Sequence, residues 1–139
     1  HADIVQLLLA SKANTDLQHN FGDTALIEAS ARGHADIVRL LLAAKANPDL
    51  KHNSGGTALI AAAIKGHADI VQLLLASKAN TDLQHNFGDT ALIEASARGH
   101  ADIVRLLLAA KANPDLKHNS GGTALIAAAI KGHADIVQL

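Results

Sequence analysis

Residues 20–52 read NFGDTALIEASARGHADIVRLLLAAKANPDLKH, and this stretch decides the fold. Asn20-Phe21-Gly22-Asp23 is turn chemistry, with Gly22 free to take positive φ. Thr24 stands where it can cap a helix from Ala25 to about Arg32, which Gly33 ends. A second helix is predicted from about Ala35 to Ala44, with Asp36 in its first turn, where the helix dipole favours a carboxylate. At about 100° per residue from Ile37, the residues Ile37, Leu41, Val38, Leu42 and Leu40 fall at about 0°, 40°, 100°, 140° and 300°. An apolar arc of roughly 200° leaves Asp36 and Arg39 the remaining sector and demands burial against several neighbours. The first helix differs. Ala25, Ala29, Ser30 and Ala31 are small enough for close backbone approach, while Leu26 and Ile27 point inward. Asn47 to His52 read as extended chain leading to the next turn.

Outward from this stretch, the chain repeats it. Gly-His recurs at Gly33-His34, Gly66-His67, Gly99-His100 and Gly132-His133, a spacing of 33. A longer period encloses the short one: residues 1–66 recur letter for letter as 67–132, and 133–139 start a third copy. An engineered array and a recent duplication would each leave such a copy. A period in this range signifies a stacked solenoid, in which each unit buries its apolar face only against its neighbours. The chain therefore divides as one repeat domain, residues 1–139: a partial repeat at 1–19, full repeats at 20–52, 53–85 and 86–118, and a partial repeat at 119–139.

The pattern resembles the ankyrin repeat over the whole chain. The matching elements are Gly-x-Thr-x-Leu (Gly22, Thr24, Leu26), Ala-x-x-x-Gly-His (Ala29, Gly33, His34), Ile-Val-x-Leu-Leu-Leu (Ile37 to Leu42) and Ala-Asn at Ala46-Asn47. The resemblance implies an all-α, ankyrin-type solenoid of 33-residue helix-turn-helix units with projecting hairpin loops. It also implies a non-enzymatic scaffold whose protein or peptide partner lies along the hairpin tips and the concave inner-helix face. Three departures stand out. The family's Thr-Pro-Leu-His is Thr-Ala-Leu-Ile here (Thr24 to Ile27). Its Gly after the second helix is Lys45, with Lys12, Lys78 and Lys111 at equivalent places. Its turn Asp is His19. Positive φ is predicted at the four lysines, at a cost of about 1 kcal/mol each.

Repeats 20–52 and 53–85 differ at ten positions, none of them a core Leu, Ile or Val. Half of the differences (21, 23, 28, 31 and 32) fall on the hairpin tip and the exposed side of the first helix. The candidate partner-binding residues follow from that distribution: Phe21, Asp23, Glu28, Arg32, Ser54, Ile64, Lys65, Phe87, Asp89, Glu94, Arg98, Ile130 and Lys131. Arg32, Lys65, Arg98 and Lys131 form a cationic ladder in which Glu28 and Glu94, four residues before the arginines, make i,i+4 pairs of about 0.2–0.5 kcal/mol. Lys65 and Lys131 lack such a partner, which suits an acidic extended peptide. Ile64 and Ile130 are expected to be exposed and, with the Phe21 and Phe87 tips, to anchor a partner.

Other chemistries fall away. The net charge of −1 and only two aromatics, both Phe, argue against nucleic acid. No apolar run approaches the ~18 residues of a membrane span, and no basic-then-apolar leader opens the chain. With no Cys, the chain has neither a disulfide framework nor a thiolate, consistent with a cytoplasmic setting. The histidine ladders His19/His52/His85/His118 and His34/His67/His100/His133 have rungs too far apart to share a zinc ion at about 2.0–2.1 Å per bond. They are read as loop and helix-start histidines bonded to backbone. No calcium loop, phosphate loop or Ser/His/Asp set is present, so no catalytic residue, metal or cofactor is assigned.

The ends suggest a second function. His1 to Leu7 equals His133 to Leu139, and both segments carry uncapped apolar faces. A structural spacer or end-to-end self-assembling solenoid with no specific ligand is the alternative, since such a contact would propagate without closing.

Overall fold

A computed structural model describes all residues 1–139. It contains nine helices and no strand: α1 (Ala2–Ala10), α2 (Ala25–Arg32), α3 (Ala35–Ala43), α4 (Ala58–Lys65), α5 (Ala68–Ala76), α6 (Ala91–Arg98), α7 (Ala101–Ala109), α8 (Ala124–Lys131) and α9 (Ala134–Val137). Even-numbered helices pack in one row (α2 on α4, α4 on α6, α6 on α8), and odd-numbered helices in a second row. Hairpin partners α2/α3, α4/α5, α6/α7 and α8/α9 join the rows. Each helix thus packs on its hairpin partner, where it has one, and on its equivalents one unit away, which is the solenoid expected from the period.

Local signals set the boundaries. Thr24 Oγ1 accepts the Ile27 N–H at 3.2 Å, and Thr57, Thr90 and Thr123 repeat this cap. Each cap is worth about 1 kcal/mol. Gly33 ends α2 in the left-handed region at φ 79°, where a Cβ would lie 2.9 Å from the His67 ring of the next unit. α3 stops at Ala43, one residue short of expectation, in a Schellman turn. Ala46 N–H reaches the Leu41 carbonyl and Lys45 N–H the Leu42 carbonyl, both at 3.0 Å. Lys45 occupies the left-handed position at φ 68°, and Lys12, Lys78 and Lys111 do the same at 60°, 62° and 68°. The predicted strain is therefore present four times.

The core is aliphatic. Leu26, Leu59, Ile70, Leu74, Ile103 and Leu107 are among the fully buried side chains, each contributing about 1.5–3 kcal/mol by leaving water. In α3 the expected arc is only partly sealed: Val38 and Leu41 are buried, whereas Ile37, Leu40 and Leu42 are half-covered. Ala25 is exposed although Ala58 and Ala91 are buried, because no first-row helix precedes α2. The hydroxyl of Ser30 is fully buried with no hydrogen-bond partner. The segment 47–52 is not uniformly extended. Pro48 and Asp49 turn, and the Asn47 carbonyl oxygen of the side chain accepts the Asp49 N–H at 2.9 Å, an Asx turn.

Candidate functional site

The hairpin tips begin with local hydrogen bonds. His19 N–H donates to the Asp23 carbonyl at 3.1 Å and Gly22 N–H to the His19 carbonyl at 2.8 Å. Gly22, at φ 90°, could carry no side chain, since a Cβ would lie 2.8 Å from the Asn53 amide nitrogen. Successive tips are then tied together. Asn53 N–H donates to the Phe21 carbonyl at 2.9 Å, Asn86 N–H to Ser54 at 2.9 Å and Asn119 N–H to Phe87 at 2.8 Å. The side-chain amides of Asn53, Asn86 and Asn119 donate to the carbonyls of Asn20, Asn53 and Asn86. Gln18 reaches across to the Lys51 carbonyl and Gln84 to that of Lys117, both at 2.9 Å. A hydrogen-bonded rail therefore runs along the tips, and it was invisible as a site in the sequence.

On this rail the candidate residues gather into groups. Phe21 and Phe87 stand 75% and 74% exposed. Arg32, Ser54, Lys65, Arg98 and Lys131 are exposed, while Asp23, Glu28, Asp89 and Glu94 are half-buried or nearly buried. Ile130 is 76% exposed as expected. Ile64 is half-buried, a correction, because it shares a cleft of about 190 Å³ with His85 of the following tip. Ile130 has no following tip. Ser54 does not join the charged groups, since its Oγ bonds the His52 ring at 2.8 Å.

The charged groups converge on the loop histidines His19 and His85. His85 Nε2 lies 3.1 Å from Asp89 Oδ2 and 3.2 Å from Glu94 Oε1, and Arg98 Nε lies 3.1 Å from Glu94 Oε2. The first copy is the same constellation, with His19 3.2 Å from Asp23, 3.4 Å from Glu28, and Arg32 3.0 Å from Glu28. It is more open: His19 and Glu28 are 46% and 39% exposed, against 13% and 12% for His85 and Glu94. Each imidazole packs edge-on against its phenylalanine at 5.8 Å between centroids. The Glu28–Arg32 and Glu94–Arg98 pairs are those expected from i,i+4 spacing.

Electrostatics separates the two copies. Glu28 is held below its ordinary value, first by the Arg32 hydrogen bond and then by His19. Asp89 is pushed above its ordinary value, first by burial and then by the nearby Glu94 charge. His85, Asp89 and Glu94 present ligand atoms within 4.8 Å of one another, as do His19, Asp23 and Glu28. The ring geometry opposes a metal there. Phe87 N–H donates to His85 Nδ1 at 3.0 Å, and Phe21 N–H does the same to His19. A backbone N–H can only donate, so Nδ1 must accept and the proton of the neutral ring sits on Nε2. An ion on Nε2 would need that lone pair and would have to break the Phe87 bond. The loop histidines thus bond to backbone as expected. The helix-start ones do not cap: His34, His67, His100 and His133 make no side-chain cap bond, and His133 instead reaches the Ala97 carbonyl at 3.3 Å.

Between two tips the rail opens into a cleft of about 400 Å³. Phe87, Asp89, Glu94, Ala97, Ile130 and Lys131 line it, together with His118 and Ser120 of the next tip.

No helix is long and apolar enough to cross a membrane. A search of curated proteins finds none that matches the chain. A family model for ankyrin repeats (3 copies) matches residues 1–85 and 69–139. Ankyrin repeats generally mediate protein–protein interaction and are typically non-enzymatic. With its stacked helix pairs, capping threonines and tip rail, and with that model covering the full length, the chain belongs to the ankyrin-repeat family.

Proposed function

We propose that residues 1–139 form a single non-enzymatic scaffold domain that binds a protein or peptide partner along its hairpin tips and the adjoining first-row helices. The observation that carries this reading is the exposure of Phe21 and Phe87, 75% and 74%, on tips whose backbones are tied into a rail. An aromatic side chain held out on a rigid support has little conformational freedom left to lose on contact, which is what a binding anchor needs. Display selection of random 12-residue peptides against the intact chain, followed by hydrogen-exchange footprinting, tests it. Bound peptides should protect amides at 19–23, 52–56 and 85–89. Protection confined to α3, α5 and α7 would rule the tip face out.

A second reading, end-to-end association of 139-residue chains, is favoured by the exposed apolar residues Ile4, Leu7 and Leu8 at one end and Leu125, Val137 and Leu139 at the other. Mass measured across a dilution series separates the two. A concentration-independent monomer removes self-association.

A further inference from the structure

We propose that the cleft between Phe87 and Ile130 is a seat for an arginine side chain of the partner. The assignment rests on the tip-face function. It begins with an imbalance of charge. Asp89 and Glu94 both face the single Nε2–H of His85, because Nδ1 is occupied as an acceptor by the Phe87 amide. Arg98 supplies one cation, on Glu94 Oε2. Two carboxylates pair with one guanidinium, and Lys131, which lines the same cleft, forms no ion pair with either, so one negative charge has no cation in contact in a place where Asp89 is 23% and Glu94 12% exposed. A charge withdrawn that far from water seeks a counter-charge, and both carboxylates line the open cleft.

The walls choose the kind of cation. Phe87 lines the cleft and is 74% exposed, an aromatic surface on which a planar guanidinium can stack while its fork of N–H donors reaches the carboxylates. Ile130 and Ala127 offer apolar surface for the methylene stem. Lysine, a compact and strongly hydrated charge, uses neither the plane nor the fork. Lys131 carries no ion pair with these acids and repels a run of basic residues. The favoured ligand is therefore a single arginine flanked by residues that are not basic. The chain contains its own comparison. The intervening tip has Gly56 and Ala61 where Asp89 and Glu94 stand, and Ser54 in place of Phe87, so it has the same backbone without the acids or the ring.

The test uses the intact isotope-labelled chain and three small probes: N-acetyl-arginine methylamide, its lysine analogue and its uncharged citrulline analogue. The expected result is saturable shifts at Phe87, Asp89, Glu94 and Ile130 with the arginine probe, at least about fivefold weaker binding of lysine, and none of citrulline. The variants Asp89→Asn and Glu94→Gln, and separately Phe87→Ser, should each weaken arginine binding about tenfold or more. The neighbouring tip, folded with Ser54, Gly56 and Ala61, shows that such residues are compatible with the fold. Equal shifts from arginine and citrulline, no shifts at these residues, or unchanged affinity in Asp89→Asn would overturn the proposal. The display selection tells this failure from failure of the tip face. Tip-bound peptides with no arginine enrichment defeat the arginine seat alone, whereas peptides footprinting on the second-row helices defeat the tip face and the seat together.

Discussion

Leu8 and Leu74 occupy the same place in two copies of one 66-residue sequence, so their neighbours along the chain are identical for many residues. Their neighbours in space are not. Leu74 lies in α5, between α3 and α7, and is 0% exposed; Leu8 lies in α1, with α3 on one side only, and is 55% exposed. Full burial of a leucine contributes about 1.5–3 kcal/mol, and truncation in a rigid surround adds a cavity term, so Leu74→Ala should cost about 3–5 kcal/mol. Leu8 keeps more than half its surface in water and has an open side into which packing can relax. Leu8→Ala in the 139-residue chain should cost about 1 kcal/mol or less. Urea titration followed by helical circular dichroism measures both, with the slope checked for constancy. The difference reports what the helices absent around α1, a hairpin partner equivalent to α4 and a second-row neighbour on its other side, supply to Leu74, since helix propensity and local sequence cancel. Equal losses for the two variants would refute nearest-unit burial as the source of stability.

Lys45→Gly relieves about 1 kcal/mol of left-handed strain, of which the freer unfolded glycine takes back about 0.4–1 kcal/mol, so stability should rise by up to about 0.6 kcal/mol, read as an increase of up to about 2 °C in Tm. Ser30→Ala removes a buried hydroxyl without a partner, at a place where the next unit already has Ala63; a stability raised by up to about 1 kcal/mol is expected from urea titration, and a loss would mean the hydroxyl is bonded. Asp89 in the folded chain holds its proton above the ordinary value of 3.8, so its ionised form opposes folding at neutral pH and that cost disappears as pH falls toward 3.8. Asp89→Asn should accordingly raise stability at pH 7 and progressively less in acid, in a pH series of urea midpoints. Glu28 has the opposite sign: held below 4.5, it stabilises above that pH and ceases to as pH falls through its folded value. Glu28→Gln should therefore lower the midpoint at pH 7 and leave it unchanged in strong acid.

The helices were legible because their signals are local. Thr24 and Gly33 bracket α2, and the Lys45 strain follows from which residue stands where a helix must turn out of itself. The solenoid was legible because the period is in the letters. Of the His85–Asp89–Glu94–Arg98 network only the Glu94–Arg98 pair was, through its i,i+4 spacing. The network's members lie four, nine and thirteen residues from the histidine, across a tip and a helix start, and no single helical or strand spacing joins them all. The tip rail was hidden for a related reason, as Asn53 and Asn20 meet only after one unit is laid on the next. Ile64 and Ile130 mark the limit most plainly. They are the same residue in the same local sequence, and only the presence of a following tip makes one half-buried and the other bare.

Perfect copying also bears on how such a chain finds its native arrangement. α9 starts with the same residues as α5, so the face of α3 that receives α5 is complementary to α9 as well. A molecule that makes that contact first excludes an entire 66-residue copy as a loop, and loop closure penalises this only logarithmically. The same degeneracy lets a copy in one molecule occupy the slot of its twin in another. Divergent modules carry addresses that forbid such exchanges. Here the only addresses are the ten substitutions between adjacent units, and alternate units carry none, so slow reshuffling and concentration-dependent exchange are expected when this protein refolds.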